Sequence, residues 1–440
     1  MTQVCMCFHV HQPIRLSRFS YFKIGSQGDS ASLDAQYFDE GMNKHYFNKA
    51  ADQCYIPTNK ILQNLLDSSA GKFRFSLSIT GTLLEQAKKY RPEVIDSFKA
   101  LCSTGYVDVL DETYYHSLSS LYADASEFKE QVMQHNAIIR DLLGVSPQSF
   151  RNTEAIYSNK IAHAVEAMGY KAIITEGVDH ILGWRSPNYV YKPAGCKSIR
   201  LLMRNYKLSD DVGFRFSAKS WKEWPLTADK YASWLSATPG QVINLFMDYE
   251  TFGEHHWKDT GILDFLNALP SQCLAHDNLQ FSTVTQAASE FSPADQVNVP
   301  YEISWADAER NTSTWLGNRI QCACFSELES LLVQVRMAND SAILDTYRKL
   351  QTSDHLMYLS TKGMSDREVH NYFSPYKDSG PYDNFISFMN IISDFKEKVR
   401  AKIAIHEKEQ QPKGAQSPLA ESGEDFAKQE LQTPKQVQFA

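Results

Sequence analysis

Short apolar runs alternate with stretches of helical periodicity from the N-terminus to about residue 250. The runs "VCMCFHV", "FRFSLSI", "YVDVL", "SFRNT", "AIIT", "IRLLM" and "VINLFM" have the length and composition of buried strands. Between them lie "TNKILQNLLD", "PEVIDSFKALCS" and "NKIAHAVEAMGY". In the last, Ile161, Val165 and Met168 recur at helical spacing and Gly169 follows as a stop. Strand–helix repetition predicts an α/β fold with a parallel sheet. Seven such units predict a seven-stranded parallel (β/α)7 barrel over residues 1–300, with a doubly wound open sheet as the alternative. Beyond about residue 310 the pattern changes. "LESLLVQVRMANDSAILDTYRKLQ" and "YDNFISFMNIISDFKEKVRAKIAI" read as long amphipathic helices, which predicts a helical domain over residues 301–406. Residues 407–440 are polar, contain proline and lack sustained periodicity, as expected of a disordered tail.

Strand periodicity also assigns directions. Successive side chains in a strand alternate faces. In "VINLFMDYE", Asn244, Phe246, Asp248 and Glu250 share one face, while Ile243, Leu245, Met247 and Tyr249 take the other. In a barrel the second set meets the helices and the first looks inward. Asp248 and Glu250 then stand at the C-terminal mouth, where barrel enzymes carry their chemistry. The first strand agrees, since Cys5, Cys7, His9 and His11 lie opposite Val4, Met6, Phe8 and Val10. So does the fourth, where Asn152 and Glu154 share a face. A single polar strand end is as well explained by a cap or a satisfied core histidine. Three converging ends point to a shared site.

Composition narrows what that site serves. The chain has 440 residues, 43% of them hydrophobic, and a net charge of -8. No basic run tracks a phosphate backbone, which argues against nucleic acid as a partner. No apolar stretch approaches membrane-spanning length. The eight cysteines form no CxxC pair and fall mostly within apolar runs, as reduced buried thiols do. The N-terminus lacks a basic segment, an apolar core and a cleavage site, so a cytoplasmic location is expected.

Two chemistries could use the converging groups. Paired carboxylates from different strands suit glycosidic bond cleavage. Aspartates and histidines could instead hold a metal that activates water. The histidine spacing argues weakly for the metal. His9 and His11 can converge from one strand, but His255 and His256 are adjacent, and no HExxH is present.

The sequence resembles glycoside hydrolase family 57, specifically its α-amylase-like members. "FHVHQP", "VDVLDETYYHSL", "FRNTEAIYSN", "MDYETFGEHH" and "QTSDHLMYLSTK" resemble the family's five motifs in order and spacing. The resemblance implies a seven-stranded barrel with a helical domain closing over its mouth. It also implies retaining hydrolysis or transglycosylation of an α-glucan or maltooligosaccharide, without metal or other cofactor. Glu154 matches the nucleophile and Asp248 the acid/base. His11, Glu250 and Asp354 match positions lining the sugar site, with His116 and Trp305 as further candidates. Asp108 takes the place of a glutamate in the second motif, with Asp111, Glu112 and Thr113 following it. Trp305, Tyr114 and Tyr115 are candidate platforms for sugar rings. A metal-dependent carbohydrate deacetylase and a non-catalytic glucan-binding protein are the alternatives.

Overall fold

The computed structural model describes residues 1–25, 32–362 and 379–410. All seven predicted runs form strands, and three short ones join them. In chain order they are β1 (Thr2–Val10), β2 (Phe75–Ile79), β3 (Val107–Leu110), β4 (Ser149–Arg151) and β5 (Ala172–Glu176). Then come β6 (Val190–Pro193), β7 (Arg200–Arg204), β8 (Val242–Asp248), β9 (Leu279–Ser282) and β10 (Gln296–Val297).

Their pairing corrects the expectation of one continuous barrel ladder. The strands form two five-stranded sheets, one ordered β3-β2-β1-β8 with β9 also on β1, the other β10-β6-β7-β5-β4. All pairs are parallel except β6 with β7. Two seams separate the sheets, and each has a physical cause. β3 and β4 are only four and three residues long, so a single bridge joins them, through Asp111 and Phe150. Asp111 donates its N–H to Ser149 and accepts from the N–H of Arg151, both at 2.9 Å. At the other seam the Arg204 guanidinium bonds the carbonyl of Phe246 at 2.6 Å, where a ladder bond would lie. Just past β7, Asn205 N–H donates to Asn244 O of β8 at 2.9 Å. The extra strands escaped the sequence reading because each is two to four residues long, too short to show a period.

The alternation of faces matches the burial. Val4, Met6, Phe8, Ile243, Leu245 and Met247 belong to the apolar layer under the helices. Cys5, Cys7 and Phe246 meet Leu110, Ala172, Ile174 and Leu202 in a small inner core. That inner core plugs the barrel and leaves the strand ends as the place for polar groups. The β1–β8 register sets His9 beside Asp248. Seven cysteines are buried and Cys322 is exposed, and all eight are free thiols.

The C-terminal region supplies the helices Arg319–Ala338, Ser341–Leu350, Ser353–Met357 and Pro381–Gln410. Leu328, Leu331, Ile391 and Ile392 share one apolar cluster with Phe150 of β4, Ile173 of β5 and Leu201 of β7. The last helix continues through residues 407–410, three residues past the start expected for the tail; residues 411–440 lie outside the described part. Among the described residues no helix is long and apolar enough to cross a membrane.

Gly253, in the turn after β8, ties two layers together. Its φ is +120°, and a Cβ there would sit 2.1 Å from the carbonyl oxygen of Gln53. Gly253→Ala is therefore expected to cost about 1–3 kcal/mol through backbone strain and displacement of that neighbour. Urea unfolding of the variant checks this, and an unchanged midpoint would contradict the close approach.

Candidate active site

The strand ends and the helical region line a cavity whose free space, opening included, is about 1020 Å³. His9, His11, His116, Glu154, Asp248, Glu250, Trp305 and Asp354 all line it.

Glu154 follows β4 in the short turn Thr153–Ala155, with φ +56° and ψ +26°. A left-handed glutamate is uncommon, and the next residue, Ala155, is left-handed too. Such strain persists only where surrounding contacts impose it, and it is concentrated at functional sites. Here the contacts are evident. Oε1 accepts from His116 Nε2 at 3.0 Å and Oε2 from Trp305 Nε1 at 2.9 Å. Trp305 arrives through the Tyr157–Ile303 bridge. Its ring lies 4.5 Å from the Arg151 guanidinium and 5.8 Å from that of Arg204. Burial pushes the Glu154 carboxyl up, but the His116 bond and charge, with Arg151, prevail and hold it below the usual range.

Asp248 ends β8, with Oδ1 3.3 Å from His9 Nδ1, and its side chain keeps 24% of its exposure. Glu250 sits in the following turn, Tyr249–Thr251, and is buried. Its Oε1 accepts from the Tyr55 hydroxyl at 2.7 Å and the His11 N–H at 3.3 Å. Burial, and then the charge of Asp248, raise Glu250 to about 8 despite these donors.

Asp354 reaches the cavity from the short helix Ser353–Met357, its Oδ2 3.0 Å from His11 Nε2. His11 Nδ1 meets Thr80 Oγ1 at 3.0 Å. Burial and the neighbouring His116 lower His11 to about 4, so the imidazole is neutral near pH 7. Asp354 is buried, yet His11 and His116 hold it well below the carboxylate range. The helix is placed by Ser353 N–H donating to His116 O at 2.9 Å.

Three of the expected site residues stand apart. Asp108 does not line the cavity, and it accepts from Thr285 N–H at 3.0 Å and Thr285 Oγ1 at 2.6 Å. The acidic group that reaches the site from this motif is Glu112, fully buried, with Oε2 3.5 Å from His116 Nδ1 and 3.7 Å from His9 Nε2. It lies past the end of β3, where alternation no longer assigns a face. Tyr114 and Tyr115 also leave the cavity, bonding Glu85 and Asp345 at 2.8 Å. His255 is a cavity residue, whereas His256 is buried and bonds the Val212 carbonyl at 3.0 Å. Sequence reasoning named neither Tyr55 nor Arg204, which no local pattern marks.

Two trios among the described residues have ligand atoms close enough to share a metal: His9, Glu112 and His116, and His11, His116 and Asp354. His116 belongs to both. Its burial opposes protonation, but bonds to Glu112 and Glu154 raise it to about 9, so a metal would have to displace a proton there.

Comparison with known proteins identifies the setting. Residues 5–300 match the model of glycosyl hydrolase family 57. A protein of Methanocaldococcus jannaschii named "Putative alpha-amylase" is 45% identical over 408 residues, 90% of this chain and 85% of that one. By structure, the chain is similar to a family 57 branching enzyme of Thermococcus kodakaraensis, with TM-score 0.61, 13% identity, and 91% and 96% of the two chains covered. It is also similar to the α-amylase of Thermotoga maritima, with TM-score 0.58, 12% identity, and 92% and 96% covered. For the 4-α-glucanotransferase of Thermococcus litoralis the TM-score is 0.61 at 15% identity, covering 81% of this chain and 56% of that one.

The raised Glu250 carboxyl has a consequence for stability. Between its ordinary 4.5 and about 8 the folded protein holds a proton that the unfolded chain releases, so this contribution declines as pH rises through that window. Glu250→Gln removes it. Urea unfolding at pH 5, 6.5 and 8 should show a flatter profile for the variant. The part of the decline due to His116, between 6.5 and about 9, should remain. Parallel profiles would place the Glu250 proton elsewhere.

Proposed function

The chain belongs to glycoside hydrolase family 57, and from that premise we propose a retaining α-amylase-like enzyme acting on α-linked glucans, with Glu154 as nucleophile and Asp248 as acid/base. The observation that carries this reading is the contrast between two carboxyls lining one cavity. Glu154 has both oxygens held by donors and is kept ionised, as a nucleophile needs. Asp248 is more exposed and adjoins Glu250, whose carboxyl keeps a proton to about pH 8. Two carboxyls set in such different surroundings are the usual basis for acid and nucleophile roles.

In the first step a Glu154 oxygen bonds the anomeric carbon as the glycosidic C–O bond breaks. Asp248 gives its proton to the departing oxygen. In the second, ionised Asp248 takes a proton from water or a sugar hydroxyl, which attacks the same carbon and releases Glu154. Water gives hydrolysis; a sugar hydroxyl gives 4-α-glucan transfer. The neutral His11 and ionised Asp354 form a donor–acceptor pair suited to sugar hydroxyls. Trp305 bonds Glu154 and has an arginine 4.5 Å from its ring, which favours a role in positioning the nucleophile over one as a sugar platform.

A metal-dependent deacetylase is the second reading, favoured by the two histidine–carboxylate trios. A chelator separates the two. Dialysis against EDTA is expected to leave glucan cleavage unchanged; no glucan cleavage together with Zn²⁺-dependent release of acetate from an acetylated sugar would favour the deacetylase.

Substitution tests the roles. Asp248→Asn should lower turnover of maltooligosaccharides by about 10²–10⁴-fold, and less for an aryl glycoside whose leaving group needs no proton. Glu154→Gln should abolish the glycosyl-enzyme intermediate for both substrates. Mass spectrometry of the trapped intermediate, with rates on the two substrate types, checks both. A labelled intermediate in Glu154→Gln would sink the assignment.

A further inference from the structure

The helix Glu40–Ala50 widens into a π-helical turn, Ala51–Tyr55, before continuing as Ile56–Ser68. Such turns are rare and occur mostly at functional sites. This one faces the turn that carries Glu250. Cys54 Sγ lies 3.2 Å from the Tyr249 carbonyl, the Tyr55 hydroxyl 2.7 Å from Glu250 Oε1, and Thr58 Oγ1 3.2 Å from the Phe252 carbonyl. Gly253 packs on the Gln53 carbonyl. Three of these contacts hold backbone. The fourth, from Tyr55, reaches a carboxyl beside the proposed acid.

Tyr55 does not touch the cavity. It is fully buried, with its ring packed against Phe47, Phe98 and Tyr249. A phenylalanine would fill that space equally well, so packing alone does not explain the hydroxyl. A buried hydroxyl needs a partner, and this one finds Glu250. Its effect depends on where the proton of the Asp248–Glu250 pair resides. An O–H donor binds a carboxylate about twice as strongly as a neutral acceptor. The Tyr55 hydroxyl, with the His11 N–H on the same oxygen, therefore works against the burial that keeps the proton on Glu250 and enlarges the share of molecules in which Asp248 carries it.

We propose that Tyr55 is a positioning residue that acts through Glu250, supporting the protonation state in which Asp248 can serve as the acid. The inference rests on the assignment of Asp248 above. The balance of the step is unchanged: one proton leaves Asp248 for the departing oxygen as Glu154 bonds the anomeric carbon. Tyr55 transfers nothing.

Tyr55→Phe deletes the hydroxyl and keeps the ring. On maltooligosaccharides kcat/KM should fall about ten- to hundredfold, the range for a hydrogen bond to a charged group. On a 4-nitrophenyl α-maltooligoside, where acid assistance matters little, the loss should be under about threefold. The basic limb of the kcat/KM profile should move to higher pH, because the doubly ionised pair loses a donor. In an Asp248→Asn background the same substitution should add little to the loss. Equal losses on both substrates, or an unmoved basic limb, would overturn the inference and leave Tyr55 a structural residue. If Asp248→Asn itself shows no dependence on the leaving group, the acid assignment has failed instead, and the two failures are distinct.

Discussion

A carboxylate without water around it must be compensated by fixed charge and donors nearby. Glu112 is in that position at the centre of this molecule. It is fully buried, and its Oε2 faces His9 and His116, at 3.7 and 3.5 Å. Those imidazoles point their other nitrogens at Asp248 and Glu154. The two carboxyls proposed for catalysis are thus coupled through a third that is buried and does not line the cavity. His116 is raised and Glu112 is held low by the same contacts, each the condition of the other. Removing one member of such a buried pair costs about 3–5 kcal/mol, because the other charge is left bare. The strands can shift only so far before this compensation fails, and the site inherits its geometry from that limit.

The seams between the sheets belong to the same network. Asp111 bridges β3 to β4, and its carboxylate takes bonds from His135, Asn136 and Tyr170. Its chain neighbour is Glu112. Arg204 spans the other seam, bonding Phe246 O as well as Glu176 and Asp210. Where the ladder is interrupted, side-chain ions take over the role of backbone hydrogen bonds. They do so next to the residues that line the cavity.

Much of this was legible in the chain because burial on one face imposes a period of two. That period placed Asp248 and, carried one to three residues past the ends of β1, β4 and β8, also brought His11, Glu154 and Glu250 to the same mouth without reference to any relative. The same extension was not made past β3. Glu112 lies two residues past β3 and Asp108 lies within it, and only the latter fell where a motif comparison looked. Trp305 and Asp354 come from segments with no strand pattern, and the family resemblance alone singled them out. Tyr55 sits in a π-helical turn, which leaves no periodic mark in sequence. The interruption of the barrel was hidden for a related reason: the apolar pattern of a strand says which face is buried, not which neighbour it pairs with.

The apolar cluster shared by the C-terminal helices and β4, β5 and β7 has a mechanical meaning. Asp354 and Glu154 both line the cavity, and the segments bearing them share a common interior. Separating those segments would expose apolar side chains of that interior to water, each at about 1.5–3 kcal/mol. A substrate of the proposed enzyme would accordingly meet a cavity already formed, with its walls held by that shared interior.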